Sequence, residues 1–96
     1  RNVIRRGLRL TVSCEVACRA SSVLRISGER IGASKALRVT AGGSRTIVVR
    51  LKANVRRNLL AAMRQAGMKR VIATATTTVR TADGARAYPV RVTLRR

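Results

Sequence analysis

The sequence predicts a mainly β fold, a small antiparallel β-sandwich with one amphipathic helix in a crossover between strands. Three observations lead to this prediction. Apolar and polar side chains alternate along most of the chain, which is typical of strands with one face in water. Turn-forming residues recur at roughly the 8–12-residue spacing of sandwiches. Apolar residues recur at helical spacing in one segment, about residues 54–66.

The first two predicted strands flank the only two cysteines, Cys14 and Cys18. Every second residue is apolar from Leu8 to Cys14, and the alternation resumes from Cys18 to Ile26. The interruption between the cysteines indicates that the chain reverses there. We therefore expect a hairpin with the loop "EVA", and we expect Gly28 to end the second strand.

The segment after Gly28 contains a predicted loop, "GERIGASK", and then a short strand around Leu37 and Val39. The residues "AGGS" are typical of a turn. After this turn, the alternation places Ile47 and Leu51 on the inward face of a further strand.

The predicted helix lies within "NVRRNLLAAMRQAG". Asn54 is a candidate N-cap, and Gly67 is expected to close the helix. We expect the apolar stripe to dock on a sheet. Its residues are Val55, Leu59, Ala62, Met63 and Ala66.

The last third, "TVRTADGARAYPV", predicts a long hairpin. Asp83 and Gly84 suit a two-residue type I′ turn, in which glycine tolerates the positive φ. A turn there places Val79 opposite Tyr88 and gathers the apolar residues on one face. Pro89 lies on the opposite face, so the last strand is expected to be an edge strand or to bulge at this point.

One-sided strands favour antiparallel sheets over a βαβ array. The order of strands, crossover helix and hairpin therefore predicts an Ig-like β-sandwich, a single domain over residues 1–96. We expect it to be excised from a longer chain. No apolar run approaches the roughly 20 residues of a membrane span, so we expect none.

The two cysteines could be metal ligands, redox catalysts, free thiols or a disulfide. A structural zinc site needs four ligands, and the chain has no histidine. The spacing C-x-x-x-C differs from that of thioredoxin-like sites. The Cα atoms would lie roughly 13 Å apart in an extended chain, beyond the ~7 Å limit for a disulfide, whereas a hairpin brings them within range. We favour a Cys14–Cys18 disulfide over two buried free thiols, and hence an extracellular or cell-surface location.

Three long segments resemble Ig-like or fibronectin-III-like modules of secreted and surface proteins from GC-rich actinobacteria. They are "VIRRGLRLTVSCEVACRASSVLRIS", "LRVTAGGSRTIVVRLKANVRRNLLAAMRQAG" and "VIATATTTVRTADGARAYPVRVTLRR". The resemblance covers nearly the whole chain, implies the same cysteine pair and indicates a fold more than a function. Such modules usually have another strand before the first glycine. Since only "NVI" is available here, that strand is expected to be missing or shortened.

The charge of the chain is its most extreme property. There are 19 arginines and 3 lysines against 3 acidic residues, a net charge of +19. Such a field attracts nucleic acid, anionic lipid and acidic polysaccharide alike. GC-rich codons also favour arginine over lysine. The arginines are therefore interpreted either as a solvated charge excess or as a dedicated anion site.

The residue types present in the chain exclude most kinds of catalytic site. There is no histidine, and Glu15, Glu29 and Asp83 are scattered at loop-like positions. No nucleophile, base and orienting group come together, and no glycine pattern matches a nucleotide-binding loop. We expect a protein that is not an enzyme and that holds no metal or cofactor.

Two function classes remain. The first is an extracellular structural or interaction module that contacts neighbouring domains of its own chain or adheres to anionic cell-wall or matrix polymer. Its candidate anion contacts, placed outward by the alternation, are Arg9, Arg25, Arg50, Arg80 and Arg91. The alternative is a small basic nucleic-acid-binding protein, which the charge favours. The lack of aromatic stacking residues counts against it, so any such binding is expected to be non-specific.

Overall fold

Seven strands and two helices make up residues 3–96, the part of the chain that the computed structural model describes. In chain order they are α1 (Val3–Arg6), β1 (Leu8–Ser13), β2 (Cys18–Ile26), β3 (Glu29–Ala33), β4 (Leu37–Val39), β5 (Ser44–Leu51), α2 (Ala53–Gln65), β6 (Arg70–Thr81) and β7 (Gly84–Arg95). All strand pairs are antiparallel, in the order β1-β5-β3-β2-β6-β7, with β4 paired to the start of β2.

The sheet curls into an open half-barrel. The first part of β5 pairs with β1, whereas Arg50 and Leu51 at its end pair with β3. Because β5 belongs to both parts, the strands follow one continuous path instead of forming two separate layers. The mainly β, antiparallel character predicted from the alternation is thus confirmed, and the observed arrangement is a curled sheet where a sandwich was expected.

The core lies on the concave inner face of the half-barrel. The first helix packs against β5 and β7, and its Ile4 is buried in the same core cluster as Leu94 of β7. A turn of helix therefore stands before Gly7, where a missing or shortened edge strand was predicted. The other core residues are Ala20, Leu24, Ile47, Val49, Leu51, Leu60, Met63, Ala73 and Ala75.

The second helix joins β5 to β6, which are not neighbours in the sheet, so the predicted crossover helix is confirmed close to its predicted bounds. Its start differs from the prediction. Lys52 is the N-cap residue and makes no side-chain capping bond, so Asn54 is not the cap. At the other end Gly67 has a φ of +68°, and the Met68 N–H donates to the Met63 carbonyl oxygen over 2.8 Å, which closes the helix as expected.

The buried stripe of α2 is rotated from the predicted one. Leu60 and Met63 are its buried residues, and Leu59 is half-buried. Ala62 and Ala66, both assigned to the stripe, are exposed. The larger leucine side chain removes more apolar surface from water than alanine does, and this decides which face docks.

The prediction of a loop over "GERIGASK" is wrong, because Glu29–Ala33 forms β3. Ser27 and Gly28 have φ values of 50° and 82°, the two consecutive positive values of a type I′ hairpin turn. β3 lacks clear apolar alternation, and Gly32 lies where a Cβ would stand 3.2 Å from the Arg50 carbonyl oxygen. The segment is a strand through its pairing with β2 and β5, and it has no apolar pattern by which the sequence could have indicated this.

The register of the long hairpin is shifted by two residues from the prediction. Thr81 pairs with Gly84, so the two turn residues are Ala82 and Asp83, and Gly84 is the first residue of β7. Tyr88 consequently faces Thr77 instead of Val79. A shift of two keeps every side chain on its predicted face, since the strand period is two. β7 is an edge strand, as expected.

Candidate anion-binding site

The predicted disulfide is confirmed. The sulfur atoms of Cys14 and Cys18 are 2.02 Å apart and their Cα atoms 6.3 Å apart. The hairpin from which it was predicted is wrong, because β1 pairs with β5 while β2 pairs with β3, β4 and β6. The half-barrel has two wings: one is the β1–β5 pair, and the other contains β2, β3, β4, β6 and β7. The cysteine loop is therefore an arch that carries the chain from the first wing to the second. The covalent bond ties the end of β1 to the start of β2.

Three arginines lie side by side immediately after this bond. Arg19 of β2 pairs in register with Arg38 of β4 on one side and with Arg80 of β6 on the other. All three are exposed on the convex outer face of the sheet. We call them the first arginine row. Directly opposed residues of antiparallel strands have Cβ atoms about 4.5–5.5 Å apart, so the guanidinium groups can converge on one ligand.

The first arginine row borders an open depression of about 380 Å³. Its other lining residues are Ala17, Cys18, Val39, Thr40, Thr81 and Ala82. The Arg38 carbonyl oxygen accepts a hydrogen bond of 3.2 Å from the Arg45 guanidinium, which fixes the backbone of the short strand β4. The depression thus has cationic side chains on three strands and a floor next to the disulfide.

A second arginine row crosses the same outer face. Arg25 of β2 pairs with Arg30 of β3 and with Thr74 of β6, and Thr74 pairs in turn with Arg91 of β7. The three arginines are exposed. Arg19 and Arg25 are six positions apart on β2, so the two rows stand roughly 20 Å apart.

The five arginines predicted as anion contacts fall into three groups on the outer face. Arg80 belongs to the first row, and Arg25 and Arg91 belong to the second. Arg9 pairs with Val48, so Arg50 is its diagonal neighbour on the separate β1–β5 wing. The five therefore do not form one patch.

Sequence reasoning missed Arg19, Arg38 and Arg30 as site residues. The signal for Arg19 was present, because it lies on the same outward side of the strand pattern as Arg25. Arg30 lies on β3, which was taken for a loop. The position of Arg38 beside Arg19 depends on a pairing between strands that alternation cannot reveal.

The acidic residues do not neutralise these rows by strand pairing. Glu15 lies in the cysteine loop, Asp83 in the hairpin turn, and Glu29 pairs with Ile26. Like charges placed directly opposite each other destabilise a sheet. The first arginine row therefore lowers the stability of the folded state. Folding alone does not explain why three arginines lie together.

The guanidinium groups of the first arginine row are chemically suited to oxyanions. Each presents a planar fork of N–H donors that matches two oxygens of a phosphate, sulfate or carboxylate. Within residues 3–96 no group of three or more His, Cys, Asp or Glu side chains could hold a metal ion. Across the same residues, no helix has the length and apolar character needed to cross a bilayer.

No family model, curated protein or solved structure matches the chain.

Proposed function

We propose that this chain is a non-catalytic, extracellular module that binds anionic polymer, with the first arginine row as its principal contact. The observation that carries the proposal is the in-register alignment of Arg19, Arg38 and Arg80 around one depression. A phosphate, sulfate or carboxylate group in this depression would relieve the repulsion among the three cations. The free energy that the row costs in folding is thereby recovered on binding.

The disulfide supports both the location and the site. Disulfides persist in oxidising compartments, which fits an extracellular module. Cys18, which lies in the wall of the depression, is 7% exposed and is bonded covalently to the opposite wing. It directly precedes Arg19, so the bond restricts the motion of the backbone that carries this arginine.

The two rows favour a polymer over a small anion. They lie on the same face, roughly 20 Å apart along β2, separated by uncharged positions such as Ser21 and Thr78. A chain with repeated anionic groups can contact both rows at once, which raises its overall affinity through effective concentration. A single phosphate or sulfate ion contacts one row only.

The test is binding of heparin and of a short DNA duplex to a double variant, Arg19→Gln with Arg80→Gln. The matched control is Arg57→Gln with Arg64→Gln, which removes the same charge from the exposed side of α2. We expect the row variant to lose at least about tenfold in heparin affinity at physiological salt, and the control to lose much less. The slope of log K against log salt should fall by roughly 1.8 for DNA in the row variant, one counterion per lost arginine.

Equal losses in the two double variants would contradict the proposal, because they would show that only net charge matters. A preference for DNA over heparin that persists in high salt would instead favour the nucleic-acid-binding class. Binding of heparin that is lost in the row variant and kept in the control would support the site as described.

A further inference from the structure

The inner face of the half-barrel is covered unevenly. Ala73, Ala75 and Leu94 are at most 1% exposed, at the end where α1 bridges β5 and β7. On the same face of β7, Val90, which pairs with Ala75, is 54% exposed, and Tyr88, two positions nearer the hairpin turn, is 51% exposed. The apolar inner surface thus continues past the point where the core ends.

This uncovered surface forms the floor of a cleft between β1 and β7. One part, of about 330 Å³, lies between Leu10–Ser13 of β1 and the side chains of Val79, Tyr88 and Val90. A second part, of about 600 Å³, extends it to the cysteine loop and the hairpin turn. Ser13, Val79 and Tyr88 line both parts, so the cleft is continuous.

The two walls of the cleft are the two edge strands of the sheet. Among residues 3–96, β1 pairs only with β5 and β7 only with β6, so each presents an edge that this part of the chain leaves unpaired. Pro89 in the middle of β7 has no N–H, which weakens that edge as a hydrogen-bonding partner. β1 contains no proline, so its edge can accept a further strand along all of Leu8–Ser13.

The charges along the cleft are unequal. Glu15 and Asp83, with Arg86 beside them, line the end nearest the hairpin turn. Towards the end nearest α1, Arg9 lies on the outward side of β1. The inward positions of β1 are Leu8, Leu10 and Val12, and its outward positions begin with Arg9. A strand added to β1 would therefore meet apolar partners inside and an arginine outside.

We propose that the cleft binds an extended segment of a partner protein, antiparallel to β1, with apolar side chains at alternate inward positions and acidic side chains outward in its C-terminal half. The antiparallel direction brings that half to Arg9, away from Glu15 and Asp83. The segment completes the sheet by strand addition and covers Tyr88 and Val90. A second copy of this chain fits less well, because it carries a net charge of +19 and an identical Arg9.

Tyr88 provides a direct measurement, because it is the only aromatic residue in the chain. The probe is the peptide acetyl-TVTVEVEV-amide, titrated while acrylamide quenching of the tyrosine fluorescence is followed at about 0.15 M salt. We expect quenching to fall as the peptide covers Tyr88. The peptides acetyl-VVVVTTEE-amide and acetyl-TVTVKVKV-amide, which lack the alternation and the acidic charge respectively, should bind more weakly.

Two single variants distinguish peptide binding in the cleft from peptide binding elsewhere on the hairpin. Val90→Gln changes the floor of the cleft and should weaken binding of acetyl-TVTVEVEV-amide by at least about tenfold. Ile72→Gln is the matched control, since Ile72 is 55% exposed on the outer face of the same hairpin; it should leave binding unchanged.

Three results would overturn the proposal. The first is no protection of Tyr88 by the peptide up to about 1 mM. The second is equal binding of acetyl-TVTVEVEV-amide and acetyl-VVVVTTEE-amide. The third is protection that rises with protein concentration in the absence of peptide, which would assign the cleft to a second copy of the chain.

Discussion

The hydroxyl groups of Ser22 and Thr77 share a hydrogen bond of 2.7 Å between β2 and β6. Ser22 is completely buried, and its backbone N–H donates to the Ser34 Oγ over 2.8 Å. This pair lies inside the half-barrel, among residues that are otherwise apolar. The bond satisfies a hydroxyl that water cannot reach, and this is the condition under which a polar group is tolerated in a core.

Thr77→Val should therefore destabilise the protein by about 1–3 kcal/mol, because the buried Ser22 hydroxyl loses its side-chain partner. The free energy of unfolding in urea measures the change. Ser22→Ala combined with Thr77→Val should cost less than the sum of the two single changes, since the double variant leaves no unpaired hydroxyl. Strict additivity would show that the two hydroxyl groups are energetically independent.

Replacing both Cys14 and Cys18 with serine should lower the free energy of unfolding by about 2 kcal/mol, the value expected for a short closed loop. The bond joins the two wings, so its loss also removes the restraint on Arg19. The free energy of unfolding, measured in urea, and the affinity for heparin should consequently both fall. The natural protein treated with a reductant serves as the control, and it should match the variant in both measurements. Unchanged heparin affinity in both samples would show that the disulfide does not influence the anion-binding site.

The sequence allowed the inward faces to be predicted because alternation is a local property. The buried positions of β2 and β5 followed from it, whereas the crossover helix followed from apolar residues at helical spacing and the edge position of β7 from Pro89. The distance between Cys14 and Cys18 was also predicted correctly, although the hairpin invoked for it does not exist. Any sharp reversal brings two such cysteines together, so the bond did not depend on which strands pair.

Pairing between distant strands could not be predicted. Arg38 meets Arg19 because β4 joins β2, and Arg80 meets it because β6 lies on the other side. These contacts depend on the register of separate segments, and a local pattern does not fix that register. The predicted register of the β6–β7 hairpin was wrong by two residues for the same reason. The predicted and the observed register place the same side chains inward, so the apolar pattern does not distinguish them.

Gly7→Ala should destabilise the protein more than Gly67→Ala. Both glycines have positive φ, 89° and 68°, and this alone costs a substituted residue about 1–2 kcal/mol. A Cβ at Gly7 would also lie 2.9 Å from the Val49 carbonyl oxygen, whereas nothing lies within 4 Å of one at Gly67. Thermal unfolding of both variants should show a further loss of at least about 1 kcal/mol at Gly7. Equal losses would mean that backbone strain accounts for both.

Arg19→Gln should raise the free energy of unfolding by about 0.2–1 kcal/mol at low salt, because it removes the central charge of the first arginine row. The gain should shrink as salt is added, since the screening length falls from about 30 Å at 0.01 M to about 8 Å at 0.15 M. Arg57→Gln is the control: its helix neighbours three and four positions away are Asn54, Leu60, Ala53 and Ala61, none of them charged. Urea unfolding at the two salt concentrations measures both variants. A gain that is equal at Arg19 and Arg57 would show that repulsion is spread over the whole surface, and the argument that the row exists for a ligand would then fail.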